Sequence, residues 1–221
     1  MRALTFVGKL LVSLGCGVLL FVGWTLWGTG IYTNQQQQAL EQAWGATPSV
    51  AVVPASSPSE DEDPVVKVAD GFRPGPGRPV FRIRIPKIKV DEMVVEGVGT
   101  EELRKGPGHY PACRDGFAPP LCLDGVESFW PGEAGRVIVS GHRTTYGAPF
   151  YDLDKLGAGD RIVTETKWGD FTYVVTEQVV LDADEPVTVT PGDPELVLTT
   201  CNPKYSAAER LLIFARLKDV R

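Results

Sequence analysis

The chain has 221 residues with 43% hydrophobic content, enough for one ordinary domain with its own core plus an appendage. Its 22 Lys and Arg are outnumbered by 28 Asp and Glu, giving a formal net charge of −6. The basic residues are scattered, which excludes the patch or stripe that nucleic acid demands, and no internal period indicates a solenoid or propeller.

The appendage is at the front. Leu10 to Tyr32 is a run of 23 residues without a charge, preceded by Arg2 and Lys9, and as a helix it can cross a hydrocarbon core of about 30 Å. Trp24, Trp27 and Tyr32 stand at its far end, where aromatic rings settle at a membrane interface, and the basic residues before it place the N-terminus in the cytoplasm. Residues 1–32 are therefore expected to be a cytoplasmic tip and an uncleaved transmembrane signal-anchor contacting membrane lipid, with everything after Tyr32 outside the cytoplasm. A cleaved signal peptide is the alternative, but the run exceeds the usual apolar region of about 7 to 15 residues. Cys16 lies inside the run and reads as a small embedded residue.

Residues 33–79 read as an extracytoplasmic tether. Gln35 to Trp44 extend the membrane helix by a turn or two, and then Pro48, Pro54, Pro58 and the acidic run Glu60 to Asp63 show no apolar period. The folded domain is expected over 80–221. Phe81, Ile83 and Ile85 alternate with Arg82, Arg84 and Pro86 as a half-buried strand does, and Val90 to Val95 is the next strand. Thr100 to Lys105 is a short helical piece with Glu101 and Glu102 suited to its N-terminal dipole.

Residues 112–135 form a loop containing Cys113 and Cys122, with eight residues between them. Outside the cytoplasm they can close a local disulfide. Zinc held by Cys113, Cys122 and His109 is the competing reading, and the spacing does not suit it. Arg136 to Ser140 is a strand ending in Gly141-His142. Phe150 to Leu156 is a short helix, and Arg161 to Thr166 and Phe171 to Leu181 are strands joined by a hairpin at Lys167 to Asp170. The acidic residues Asp182, Asp184, Glu185 and Asp193 match no calcium-loop frame and read as a solvated loop. Short strands, few helices and no βαβ alternation give a mainly β chain and a closed or nearly closed barrel.

The chemistry gathers at the end of the chain. Leu196 to Leu198 and Leu211 to Phe214 read as an antiparallel pair of buried strands that places Cys201 and Arg210 at one rim, about 4.8 Å apart in strand spacing. A guanidinium beside a thiol favours a thiolate and can stabilise an oxyanion. The competing reading is a buried structural Cys beside a surface Arg. His142 is the expected base because it ends a strand, whereas His109, the rival, sits among turn residues.

With Ser140-Gly141-His142-Arg143 at one strand end, Thr200-Cys201 at a later one and Arg210 nine residues on, the chain resembles the sortases, membrane-anchored cysteine transpeptidases. The strings GHRTTYGAPF and LTTCNPKYSAAER look most like class E. The resemblance covers roughly residues 80–217. It implies an eight-stranded barrel behind the transmembrane helix, with His142, Cys201 and Arg210 as the catalytic three and no cofactor or metal. It further implies attack on the Thr-Gly bond of a sorting signal on a secreted protein. Transfer to an amine of a lipid II-type peptidoglycan precursor would follow. Class E implies a preference for Leu-Ala-X-Thr-Gly over Leu-Pro-X-Thr-Gly. Tyr146, four residues after His142, is expected to bind substrate by rewarding the backbone N–H that Ala has and Pro lacks. Thr200 is expected to support Cys201 or line the groove. The loop with Cys113 and Cys122 is longer than the resemblance leads one to expect. Two further readings are an L,D-transpeptidase, whose His would stand where Thr199 is, and a tethered binding domain with a degenerate site.

Overall fold

A computed structural model describes residues 2–47, 52–54, 66–68, 72–113, 128–185 and 192–221. Helix α1 (Arg2–Gly23) passes through one π-helical turn (Trp24–Gly28) into α2 (Thr29–Gly45). Strands β1 (Val52–Pro54) and β2 (Val66–Val68) pair with each other. The remaining strands are β3 (Pro79–Ile85), β4 (Val90–Glu96), β5 (Gly108–His109), β6 (Arg136–Ser140), β7 (Arg161–Glu165), β8 (Asp170–Asp182), β9 (Glu195–Asn202) and β10 (Glu209–Val220), with helix α3 (Thr100–Leu103) between β4 and β5. These eight strands close a barrel in the order β10-β8-β7-β3-β4-β5-β6-β9. All ladders are antiparallel except β4 with β5 and β6 with β9.

Period-two alternation builds the interior. Phe81, Ile83, Val139, Phe171, Leu198 and Ile213 all point into one buried cluster, each contributing about 1.5–3 kcal/mol by leaving water. The opposite faces of β6, β9 and β10 carry a second, smaller cluster of Ile138, Val197 and Leu212, packed with Tyr110, Leu181 and Phe214. Both faces of this part of the sheet are therefore apolar, which is why these strands read as continuous hydrophobic runs.

The segment read as a tether is in part folded onto the barrel. In α2, Leu40 packs on Met93 and Val95 of β4 with Trp44 beside them. The Gln37 amide grips the barrel edge: its Nε2 donates to Met93 O (3.0 Å) and Lys105 O (2.8 Å), and its Oε1 accepts from Met93 N (2.7 Å). Arg82 bonds Glu41 at 2.9 Å. Further on, Val68 is buried in the main core, and Val66 N donates to Gly132 O at 2.9 Å. The docked face of α2 runs through Thr29, Thr33, Gln37, Leu40 and Trp44, spacings of three and four that share a helix side. Most of that stripe is polar, so no apolar period announces it.

The helical run Thr5–Gly45 contains a stretch of mean hydropathy 2.1 and is long and apolar enough to cross a membrane. Thr29, inside the run without charges, already bonds the barrel, its hydroxyl accepting from Tyr146 N at 3.0 Å. The short helix expected at Phe150 to Leu156 is a 3-10 turn at Leu153–Lys155.

Candidate active site

Cys201 and Arg210 stand opposite each other in the β9–β10 ladder. Alternation fixes their side. Val197 and Thr199 share a face with Cys201, and Leu212 and Phe214 share one with Arg210, so both residues continue the outer apolar cluster and point away from the barrel interior. Cys201 is a half-exposed free thiol. The Arg210 guanidinium is anchored at the rim, its Nη1 donating to Ala207 O (3.1 Å) and Glu209 O (3.0 Å). Beside it, burial raises the Tyr110 phenol above its ordinary range, with the Arg210 charge opposing.

His142 reaches the same rim through a different pairing. Strand β6 runs parallel to β9 with Ser140 level with Thr199. Two residues past each lie His142 and Cys201, on adjacent chains about 4.8 Å apart in strand spacing. Two bonds hold the chains together here: Gly141 N donates to Thr199 O (3.1 Å), and the Thr200 hydroxyl donates to Gly141 O (2.7 Å). Thr200 is buried and lies on the inner face with Leu198. Of the two roles expected for it, this geometry favours support over groove lining, because alternation turns it away from Cys201.

Gly141 has a steric reason of its own. A Cβ there would lie 2.6 Å from the ring of Phe150, a fully buried core residue whose backbone N donates to His142 O at 3.1 Å. The loop from His142 to Phe150 thus closes on itself. Burial, and then the charge of Arg104, lower the His142 pKa from the ordinary 6.5, so the resting imidazole is neutral at neutral pH. A buried imidazolium loses its hydration, which disfavours the protonated form. Its Nε2 is buried and has no hydrogen-bond partner among the described residues, a nitrogen available to carry a proton. The ring packs on Tyr146 with centroids 5.1 Å apart, and the Tyr146 hydroxyl accepts from Arg104 Nε at 3.1 Å.

His109 has no such capacity. It is buried, with Nδ1 against Glu96 Oε2 (2.8 Å) and Nε2 against Phe129 O (2.9 Å), and it stacks on Trp130. Both nitrogens face acceptors, which makes it a strut between β4, β5 and the returning loop. Cys113 is disulfide-bonded; Cys122 lies outside the described residues.

Arg143 had no separate role in the sequence reading. Its guanidinium is buried and donates from Nη1 to Cys201 O (3.2 Å) and to the Asn202 side chain, while Nη2 pairs with Asp154 at 3.2 Å. The motif contained it, but an Arg in a polar loop ordinarily reads as solvated.

A family model described as Sortase domain matches residues 83–218. Sortase D of Bacillus subtilis is 30% identical over 192 residues, covering 84% of this chain and 86% of that protein. Sortase SrtE1 of Streptomyces coelicolor is 27% identical over 231 residues, 97% of this chain but 57% of that protein, so the chain spans little more than half its length. The crystal structure of sortase E1 from the same organism, with a tripeptide in the active site, aligns with a TM-score of 0.54 and 26% identity over 67% of this chain and 93% of that one.

Proposed function

The chain belongs to the sortase family, whose members are cysteine transpeptidases, and from that premise we propose that His142, Cys201 and Arg210 are its catalytic residues. The observation that carries this is the double register: β10 sets Arg210 opposite Cys201, and parallel β6 delivers His142 to the same strand end. In this reading neutral His142 takes the Cys201 proton as the sulfur attacks the carbonyl carbon of Thr in a sorting signal. The Thr-Gly C–N bond breaks, the Gly amine leaves with the proton from His142, and a thioester remains on Cys201. An acceptor amine then attacks the thioester, its proton passes to His142, and the thiol is restored. Arg210 steadies the oxyanion of each tetrahedral intermediate.

Sortases act on proteins bearing sorting signals and on cell-wall precursors. Here the finer reading is a class E enzyme preferring Leu-Ala-X-Thr-Gly, an amine of a lipid II-type precursor as acceptor, and anchorage by the N-terminal helix with its N-terminus in the cytoplasm. Similarity to Sortase SrtE1 supports the class, although Sortase D of Bacillus subtilis is as similar. Tyr146 is assigned a substrate contact and Cys113 a bridge to Cys122. The division into anchor over 1–32, connecting segment over 33–79 and catalytic domain over 80–221 belongs to the same reading, with α2 docked on the domain.

The test is capture of the acyl-enzyme. Incubation with a Leu-Ala-X-Thr-Gly peptide should add the peptide fragment ending in Thr to Cys201 as a thioester seen by mass spectrometry, and Cys201→Ala should abolish it. Arg210→Lys should lose activity although the positive charge remains, because one ammonium cannot reproduce a two-pronged donor. An adduct on another residue, or full turnover by Cys201→Ala, contradicts the assignment.

A further inference from the structure

The loop that carries His142 is held from outside the barrel. Tyr146, Gly147 and Ala148 have φ of 51°, 73° and 46° in succession, a left-handed turn that Tyr and Ala populate sparsely. Something must over-determine it. Within the loop, Ala148 N donates to Thr145 O at 2.9 Å. The N–H of Tyr146, the first left-handed residue, instead donates to the Thr29 hydroxyl at 3.0 Å, across a sequence separation of 117 residues.

The Thr29 hydroxyl is set up to accept. Its own proton goes to Thr25 O, one helical turn back, at 3.0 Å, which leaves oxygen lone pairs facing Tyr146. One turn further along α2, the methyl of Thr33 packs where a Gly147 Cβ would lie 3.4 Å away, and the Thr33 hydroxyl reaches Arg104 O at 2.9 Å. Arg104 returns to the loop through its bond to the Tyr146 phenol. Two threonines on one helix face thus hold both the backbone and, through Arg104, the ring of the residue that packs on His142.

We propose that Thr29, at the membrane-proximal start of α2, is a positioning residue for His142, acting through the left-handed turn at Tyr146 to Ala148. The inference rests on the assignment of His142 as the proton carrier. It makes the last residues of the charge-free run, where α2 begins, part of the apparatus that positions the site. Without the Thr29 acceptor the Tyr146 N–H loses its partner, the left-handed turn relaxes, and the His142 ring loses the tilted phenol packed against it. Proton transfer is steeply sensitive to the angle of that ring.

The experiment uses the full chain in detergent. Thr29→Val keeps the shape and removes the hydroxyl, and it should lower kcat by about 5- to 10-fold, the scale of one lost hydrogen bond; a rise in KM with kcat unchanged would report the Tyr146 substrate contact alone and overturn the proposal. Thr29→Ser should restore kcat. Thr25→Val, whose hydroxyl bonds Val22 O one turn back, should behave as wild type. The His142 ring, followed by NMR titration, should change its midpoint in Thr29→Val and regain it in Thr29→Ser. Wild-type kcat together with an unchanged midpoint in Thr29→Val overturns the proposal, as does a defect that Ser fails to rescue. His142→Ala is assayed in parallel. If it remains active, the catalytic assignment fails instead, and the ring titration still reads whether Thr29 positions His142.

Discussion

Arg143 clamps the carbonyl oxygen of Cys201 from a buried position next to His142, with 3.2 Å between its Nη1 and that oxygen. One guanidinium thereby joins the His142 loop to the end of β9, and through Asp154 to the 3-10 turn beyond Phe150. Such a fork spans acceptors that a point charge cannot.

Arg143→Met should therefore cost about 1–3 kcal/mol, the penalty for leaving partly buried acceptors unpaired. Activity should fall further than the folded fraction does, because the Cys201 backbone loses its fixed point. Arg143→Lys should recover only part of both. Chemical denaturation alongside kcat measures the two effects, and a Met variant with wild-type stability and turnover would remove Arg143 from the site.

Glu92 of β4 gives a pH signature to stability. Burial first, and then the neighbouring Asp91 charge, raise it from 4.5 to about 7, with Arg82 opposing. The unfolded chain releases this proton near 4.5 while the folded chain keeps it until about 7, so stability falls as pH rises across that window and stays lower above it. Glu92→Gln should raise Tm at pH 8 and leave it unchanged near pH 4.5, with an upper bound of about 3 kcal/mol. Melting curves at both pH values decide it: an equal gain at each would point to packing and not to ionisation.

The acid limb of kcat/KM should lie below 6.5, because burial and Arg104 both disfavour the His142 imidazolium. Arg104→Met removes the second cause and should move the limb up only partway, since burial remains. A limb at or above 6.5 in the wild type would contradict the described environment.

Gly141→Ala should destabilise by about 1–3 kcal/mol through overpacking against Phe150, and it should depress kcat because the displaced residue precedes His142. Gly157, where an added Cβ meets nothing within 4 Å, supplies the control: Gly157→Ala should be neutral in the same melts and assays.

The sequence by itself determined the strands and one half of the site. Period-two alternation at Phe81, Ile83 and Ile85 and the run from Phe171 to Leu181 are local signals. The Cys201–Arg210 register is nearly local too, because the loop of residues 203–208 between two buried strands leaves few ways to pair them. The long run without a charge at the front is equally a property of composition. Only the tertiary structure decided that β6 lies parallel beside β9, bringing His142 to Cys201 from 59 residues away, since parallel neighbours are set by packing across the whole barrel and leave no turn to read. The same holds for α2, whose docking face is built of Thr29, Thr33 and Gln37: polar side chains that grip backbone groups carry no hydropathy period. Arg143 and His109 became legible last. A polar residue that is buried and paired looks, in a sequence, like one that faces water.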